Sequence, residues 1–211
     1  MKPYKLEACV ETLDQCRSAE KRGADRVELC EHLDQDGLTP DHHLIKSVSE
    51  KLEIPVRVMI RPHSKGFFYS EEDLRRMKQS ITFCKAHRIE GVVFGVTSPD
   101  GSTLDVDLTQ ELASHAAPLK VTIHKALDAC NDPLVELWRL RDISEIDAVL
   151  TSGSASTAER GMPVLREMIK VAADRLDIIV CGKVTQENIA SIHEKLGSNY
   201  YHGKKIVGSL V

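Results

Sequence analysis

The sequence predicts an α/β protein built as a closed (β/α)8 barrel. Short strand-like runs alternate strictly with amphipathic helical segments, which is typical of a parallel sheet. Eight such units occur, the number that closes a barrel of the TIM type. The strands carry polar residues, whereas the central strands of an open doubly wound sheet are apolar runs. No GxGxxG motif follows the first strand, so we expect no dinucleotide-binding fold and no nucleotide cofactor.

The predicted strands are short and end at polar or turn-forming residues. They cover residues 4–9, 25–30, 55–61, 91–96, 119–124, 147–150, 177–181 and 199–202. The helices between them carry apolar stripes, and capping residues mark their starts. The predicted caps are Thr12 with Gln15, Thr39 before Pro40, and Ser70 with Asp73.

The end of the chain is short for such a barrel. After the eighth predicted strand only residues 203–211 remain, which leaves no room for a closing helix of normal length. We therefore predict a barrel that lacks a full eighth helix and whose eighth strand has a partly bare outer face. A second copy of the chain would cover this face, so we expect a homo-oligomer.

Composition narrows the class of protein. A chain of 211 residues, 42% hydrophobic and 28% charged, fits one soluble globular domain over residues 1–211. A net charge of −4 gives no reason to expect nucleic acid or an anionic membrane as a partner. The start of the chain has no signal-peptide pattern and the sequence no long apolar run, so we expect a cytoplasmic protein that does not span a membrane. The six cysteines form no CxxC pair, which favours free thiols or soft metal ligands over disulfides.

In a barrel of this kind the carboxyl ends of the strands build the site, and every second side chain points inward. This rule selects charged, hydroxyl and thiol groups on separate strands. They are Glu7, Cys9, Glu28, Cys30, Arg57, Arg61, His63, His124, Asp128, Thr151, Ser152, Cys181, Lys183 and His202.

Two interpretations of this set stand side by side. In the first, Glu7, Glu28, Arg61, His124 and Asp128 form a catalytic group, in which the two carboxylates lie beside Arg61 and a desolvated one acts as general base. Substrate-binding groups would then come from a second set: Thr151, Ser152 and His202. In the second interpretation, the same charges form a self-satisfied salt-bridge network that lines the barrel.

Cys9 and Cys30 end adjacent strands on the same face, so their Cβ atoms are expected about 5 Å apart. Two soft thiolates at that separation suit Cu(I), and this predicts a metal site. The alternative is that both are small buried hydrophobic residues, as cysteine often is. Cys16 and Cys84 lie on apolar helical stripes and are predicted to belong to the core.

Several segments together resemble one known family, the CutC family of copper homeostasis proteins. They are GADRVELC at 23–30, GLTP at 37–40, IRP at 60–62, GVVFG at 91–95, TIHKALD at 122–128 and LTSG at 150–153. The resemblance runs from about residue 5 to 202. It implies a (β/α)8 barrel, a cytoplasmic location, oligomerisation and a role in copper handling, and it strengthens the copper interpretation of Cys9 and Cys30. It supplies no reaction.

The chain departs from the family pattern in the run Cys181-Gly182-Lys183 and around His202, where Tyr200 and Gly203 replace the usual neighbours. These departures weaken any phosphate-binding or catalytic function that draws on strands seven and eight. Three functions therefore stay open: a copper-binding homeostasis protein, an enzyme acting on a small polar metabolite, and an interaction scaffold that has lost its chemistry.

Overall fold

The computed structural model describes residues 2–210 and contains a closed barrel of eight parallel strands, which confirms the predicted fold class. Each strand pairs with the next along the chain, and β1 pairs with β8 to close the ring. The strands are β1 Lys5–Val10, β2 Arg26–Leu29, β3 Val56–Met59, β4 Gly91–Phe94, β5 Lys120–Ile123, β6 Ile146–Thr151, β7 Asp177–Val180 and β8 Tyr200–Gly203.

Helices connect successive strands around the outside. They are α1 Leu13–Lys21, α2 His42–Lys51, α3 Glu71–Lys85, α4 Val106–Ala116, α5 Ala126–Ala129, α6 Pro133–Leu140, α7 Ala158–Ala172 and α8 Ile189–Leu196. Both α5 and α6 follow β5. No helix follows β8 in the part of the chain described, residues 204–210, as predicted. Within residues 2–210, no helix combines the length and apolar character needed to cross a bilayer.

The main hydrophobic core lies between the barrel and the helices. In β2, Val27 and Leu29 are fully buried in that core, while Arg26 and Glu28 make polar contacts inside the barrel. The alternation predicted from the sequence is therefore present. Two smaller apolar clusters lie apart from the main core. One comprises Cys9, Cys30, Met59 and Val93, and the other Ala148, Leu150, Ile179 and Cys181.

The helix caps agree with the sequence at one site and differ at two. Ser70 and Asp73 form the predicted reciprocal capping box of α3. At α1, Thr12 accepts from the Gln15 amide, but the Gln15 side chain accepts from the Glu11 amide, so the box is not closed on the cap residue.

The predicted cap of α2 at Thr39 is wrong. The helix begins two residues later than a Thr39 cap requires, and the Asp41 carboxylate accepts from the amide of Leu44 at 2.7 Å. The Thr39 hydroxyl instead accepts from the amide of Arg61 at 2.7 Å. It thus ties the β2–α2 loop to the end of β3, next to a residue of the candidate site.

The outer face of β8 is not bare, so that expectation is wrong. Tyr201 points outward and is fully buried. Its ring lies 5.4 Å from that of Tyr4 and 5.7 Å from that of His193, centroid to centroid, and Ile206 and Val207 join the same core. Because the chain covers this strand itself, the strand gives no reason to expect a partner. A homo-oligomer stays a prediction without that support.

Candidate active site and thiol cluster

The carboxyl ends of the strands surround one cavity of about 980 Å³. Most of the predicted site residues line it: Cys9, Glu28, Arg61, His124, Asp128, Ser152, Cys181, Lys183 and His202. Glu7, Cys30 and Thr151 do not reach it. His63 lies away from the cavity as well, with its Nε2 atom 3.6 Å from Asp73.

Below the cavity, interior charges form a closed set of ion pairs, which we call the paired network. Glu7 lies 2.5 Å from Arg26 Nε, and Arg57 contacts Asp147 at 2.5 Å and Glu90 at 3.1 Å. Arg57 also donates to Thr122. Burial acts to raise the pKa of Glu7, but Arg26 and then His202 outweigh it and hold that pKa below its usual range. For these residues, the interpretation as a structural network fits the geometry.

His202 joins the paired network to the cavity. Its Nδ1 atom lies 2.9 Å from Glu7, and its Nε2 atom lies 3.7 Å from Glu28 Oε2. Burial is the main cause that raises the pKa of Glu28, and the Oε1 atom of this residue is buried without a hydrogen-bond partner. Both carboxyl groups are buried, but Glu7 is held ionised by its partners, whereas burial favours the protonated form of Glu28.

The two predicted thiols meet at Glu28. Cys9 Sγ lies 3.6 Å and Cys30 Sγ 3.5 Å from the same Oε2 atom. These two sulfurs and a Glu28 oxygen all lie within 4.8 Å of one another. The hydrogen bond with Cys30 lowers the pKa of Cys9, while the bond with Cys9, together with burial, raises the pKa of Cys30. Cys16 and Cys84 are buried in the apolar core, as predicted.

Arg61 does not lie against the carboxylates as expected. It forms no ion pair with Glu7 or Glu28, and its Nη1 atom donates to the backbone oxygens of Gln35 and Gly37 at 3.0 Å and 3.1 Å. Arg26 lies directly opposite Glu7 in the β1–β2 pairing, so Glu7 forms its ion pair with Arg26 and not with Arg61.

His124 lies on the same side of the cavity as Arg61, and Phe67 contacts both. The Phe67 ring centroid is 4.8 Å from that of His124 and 5.1 Å from the Arg61 guanidinium carbon. His124 Nδ1 accepts from the amide of Ala126, and Nε2 is buried without a partner. Burial, and then the charge of Arg61, lower the pKa of His124 to about 3, so the ring is neutral near pH 7.

Asp128 holds the loop after β6. Its carboxylate accepts from the amide and hydroxyl of Ser152 at 2.9 Å and 3.0 Å, from the amide of Ser154 at 3.0 Å, and from the Thr151 hydroxyl. Thr151 is fully buried and contacts Met168 of α7. Its side chain therefore faces the helix layer, and of the two hydroxyl residues only Ser152 reaches the cavity.

Sequence reasoning missed two groups of residues. One comprises two carboxylates of the paired network, Glu90 and Asp147. The other comprises cations and an aromatic at the cavity, Phe67, Lys125, Lys204 and Lys205. The three lysines come just after the ends of β5 and β8. Their position after predicted strands could therefore have indicated that they lie at the cavity.

A closed barrel with charged groups and thiols around one cavity at its strand ends defines the class: a (β/α)8 barrel protein with its site at the usual end. The CutC family model matches residues 4–207, and this chain belongs to the CutC family.

Among its relatives, a human copper homeostasis protein cutC homolog is 36% identical over 94% of this chain and 72% of its own length. A CutC family protein from Parabacteroides distasonis is 37% identical over 93% of this chain and 81% of its own length. The crystal structure of a Streptococcus agalactiae protein named for copper homeostasis, CutC, superposes with a TM-score of 0.90 at 27% identity. It covers 96% of this chain and 99% of that one.

Proposed function

We propose that this chain takes part in copper homeostasis and binds Cu(I), as cargo, through the thiols of Cys9 and Cys30. The names of its relatives support the general role. One observation carries the site: both sulfur atoms approach a single Glu28 oxygen, at 3.6 Å and 3.5 Å. Small side-chain rotations would bring the two sulfurs onto a common ion.

The surroundings of the thiols fit a soft monovalent ion. Thiolate sulfur favours Cu(I) over hard cations such as Mg²⁺ or Ca²⁺. Met59, Val93 and Leu33 pack around the pair and give it apolar surroundings.

The pKa of Cys9, though not that of Cys30, favours this assignment, and so does access to the pair. Metal binding displaces thiol protons, and the Cys30 hydrogen bond, followed by His202 and Lys204, already holds the pKa of Cys9 below its usual range. Cys9 lines the cavity, whereas Cys30 is fully buried behind it. An incoming ion would therefore meet Cys9 first and Cys30 second.

Competition with a chromophoric Cu(I) chelator under anaerobic conditions tests this function. We expect one Cu(I) per chain and at least a hundredfold loss of affinity in Cys9→Ser and in Cys30→Ser, because each variant leaves a single thiol. Cys181→Ser is the matched control, since Cys181 lines the same cavity but belongs to a different cluster. Unchanged affinity in both Cys9→Ser and Cys30→Ser would remove the thiol pair from copper binding.

A second candidate function is supported by the size of the cavity. At about 980 Å³ it is far larger than an ion needs and falls within the range of small-molecule pockets, roughly 300–1,000 Å³. An enzyme acting on a small polar metabolite would use Glu28, His124 and His202, which line it. Such a metabolite should raise the melting temperature of the wild type and of Cys30→Ser equally. A cavity that binds no small molecule from a broad metabolite set would argue against this function.

A further inference from the structure

Arg61 is a buried cation without a counter-ion. It is 5% exposed, it follows the end of β3, and it lines the cavity. Its Nη1 atom is engaged by two backbone oxygens, and its Nε atom is buried without a hydrogen-bond partner. Within residues 2–210 no carboxylate pairs with it. Since an unpaired buried charge is costly, a protein rarely keeps one without a use for it.

The other two arginines inside the barrel show what Arg61 lacks. Arg26 contacts Glu7 at 2.5 Å and Glu90 at 3.5 Å, and Arg57 contacts Asp147 at 2.5 Å and Glu90 at 3.1 Å. Neither reaches the cavity, whereas Arg61 does. The missing negative charge therefore belongs to a molecule that enters the cavity lined by Arg61.

The neighbours of Arg61 do not supply that charge. Asp128 and Asp36 line the same cavity, but no ion pair joins either to Arg61, and the Asp128 carboxylate accepts hydrogen bonds from Ser152, Ser154 and Thr151. Lys125 and three further lysines of the β7 and β8 loops add positive charge to the cavity wall. His124, beside Arg61, is neutral and has an Nε2 atom without a partner. The cavity wall as a whole thus carries five basic side chains, and Arg61 is the one that is buried.

We propose that Arg61, with His124 beside it, forms a subsite for the oxyanion group of a small molecule bound in the cavity. The planar guanidinium matches the two oxygens of a carboxylate or phosphate. Phe67 lies under this guanidinium, 5.1 Å from its central carbon, and limits its rotation. The volume of about 980 Å³ leaves room for the rest of the ligand. The subsite goes beyond copper binding and does not require it.

Titration calorimetry on the full chain tests the subsite, with sodium phosphate and sodium acetate as probes and acetamide as the uncharged control. Ionic strength is held constant with chloride, because screening alone would weaken binding. We expect saturable binding of at least one of the two anions, at one site per chain, and none of acetamide. Preference for phosphate or for acetate then identifies which oxyanion the subsite favours.

Two variants locate the bound anion. Arg61→Met should weaken binding at least tenfold, while Arg141→Met should leave it unchanged; Arg141 also has a buried, unpartnered Nε atom but does not line the cavity. If Arg61→Met does not fold, Arg61→Lys keeps the charge without the planar fork and should weaken binding at least threefold. Equal affinity in wild type and the folded Arg61 variant overturns the proposal, as does the absence of saturable binding to wild type.

The copper and anion sites can fail independently. Cys9→Ser with Cys30→Ser should leave anion affinity within twofold of wild type, and Arg61→Met should leave the Cu(I) stoichiometry at one. Loss of anion binding in the double cysteine variant would place the anion at the thiols, which contradicts a subsite at Arg61.

Discussion

Two groups of titratable residues share the interior of this barrel, and they differ in how their buried polar atoms are satisfied. The paired network comprises Glu7, Arg26, Arg57, Glu90 and Asp147, and its only unpartnered buried side-chain atom is Arg26 Nη2. The second, which we call the mouth group, comprises Glu28, Arg61 and His124. Every one of its members has a buried atom without a partner: Glu28 Oε1, Arg61 Nε and His124 Nε2.

The difference separates residues that stabilise the barrel from residues that are available to bind a ligand, although both groups lie on the same strands. Buried polar atoms are almost always hydrogen-bonded, so three exceptions around a single cavity point to groups that a ligand would satisfy. The paired network has one such atom, Arg26 Nη2, but its carboxylates and arginines neutralise one another. His202, which contacts Glu7 on one side and Glu28 on the other, is the physical link between the two.

The largest expected effect separates the two groups by stability. Arg26→Met leaves the carboxylate of Glu7, 1% exposed, without its main partner. We expect a loss of about 3–5 kcal/mol in the free energy of unfolding, measured by urea denaturation at pH 7. Glu28→Gln should change it by less than about 1 kcal/mol, because no arginine pairs with Glu28 and the histidine that faces it, His202, keeps its closer contact with Glu7. Equal losses in the two variants would erase the distinction.

A smaller effect concerns pH. His124 is neutral in the folded chain down to about pH 3, but in the unfolded chain it takes up a proton near pH 6.5. The unfolded state therefore binds more protons between these values, and stability falls as pH is lowered. From pH 7 to pH 5, wild type should lose about 2 kcal/mol more than His124→Gln in urea denaturation.

His202 should show the opposite sign. Glu28 and Glu7 raise its pKa although burial acts against them. Its contribution to stability is therefore fully present below about pH 6.5 and is lost as pH rises above that value. Compared with His202→Gln, wild type should gain stability on acidification. Parallel pH profiles for the two histidine variants would contradict their assignment to different environments.

The sequence predicted the barrel and the inward direction of Glu7, Glu28, His124 and His202, because a side-chain period of two is a local property. It did not predict which charges pair, since the stagger between strands is set by closure of the whole barrel. That stagger places Glu7 opposite Arg26, and Arg61 forms no ion pair with a carboxylate of the described residues.

The alternation of side chains along β6 explains a second error, the prediction that both Thr151 and Ser152 face the cavity. The pairing of β5 with β6 shifts between Val121 and Thr122, and Ala148 then lies beside Thr122. With Ala148 and Leu150 in an interior cluster, Ser152 follows on the inner face and Thr151 on the outer one. Because Thr151 and Ser152 are adjacent, strict alternation allows only one of them to face the cavity. The sequence does not show which one, because no pattern in it reveals the irregular pairing of β5 with β6.

The smallest effect tests whether copper binding at Cys9 and Cys30 depends on the backbone conformation of the neighbouring loop at Gly37. Gly37 and Gly23 have almost the same positive φ, 85° and 84°, but a Cβ at Gly37 would lie 3.2 Å from Cys30 Sγ, whereas one at Gly23 would meet nothing within 4 Å. Gly37→Ala and Gly23→Ala should each cost about 1 kcal/mol for the backbone conformation. Only Gly37→Ala should also displace Cys30 and weaken Cu(I) binding, by about tenfold in the chelator competition. If both variants keep wild-type copper affinity, the position of Cys30 does not control the site.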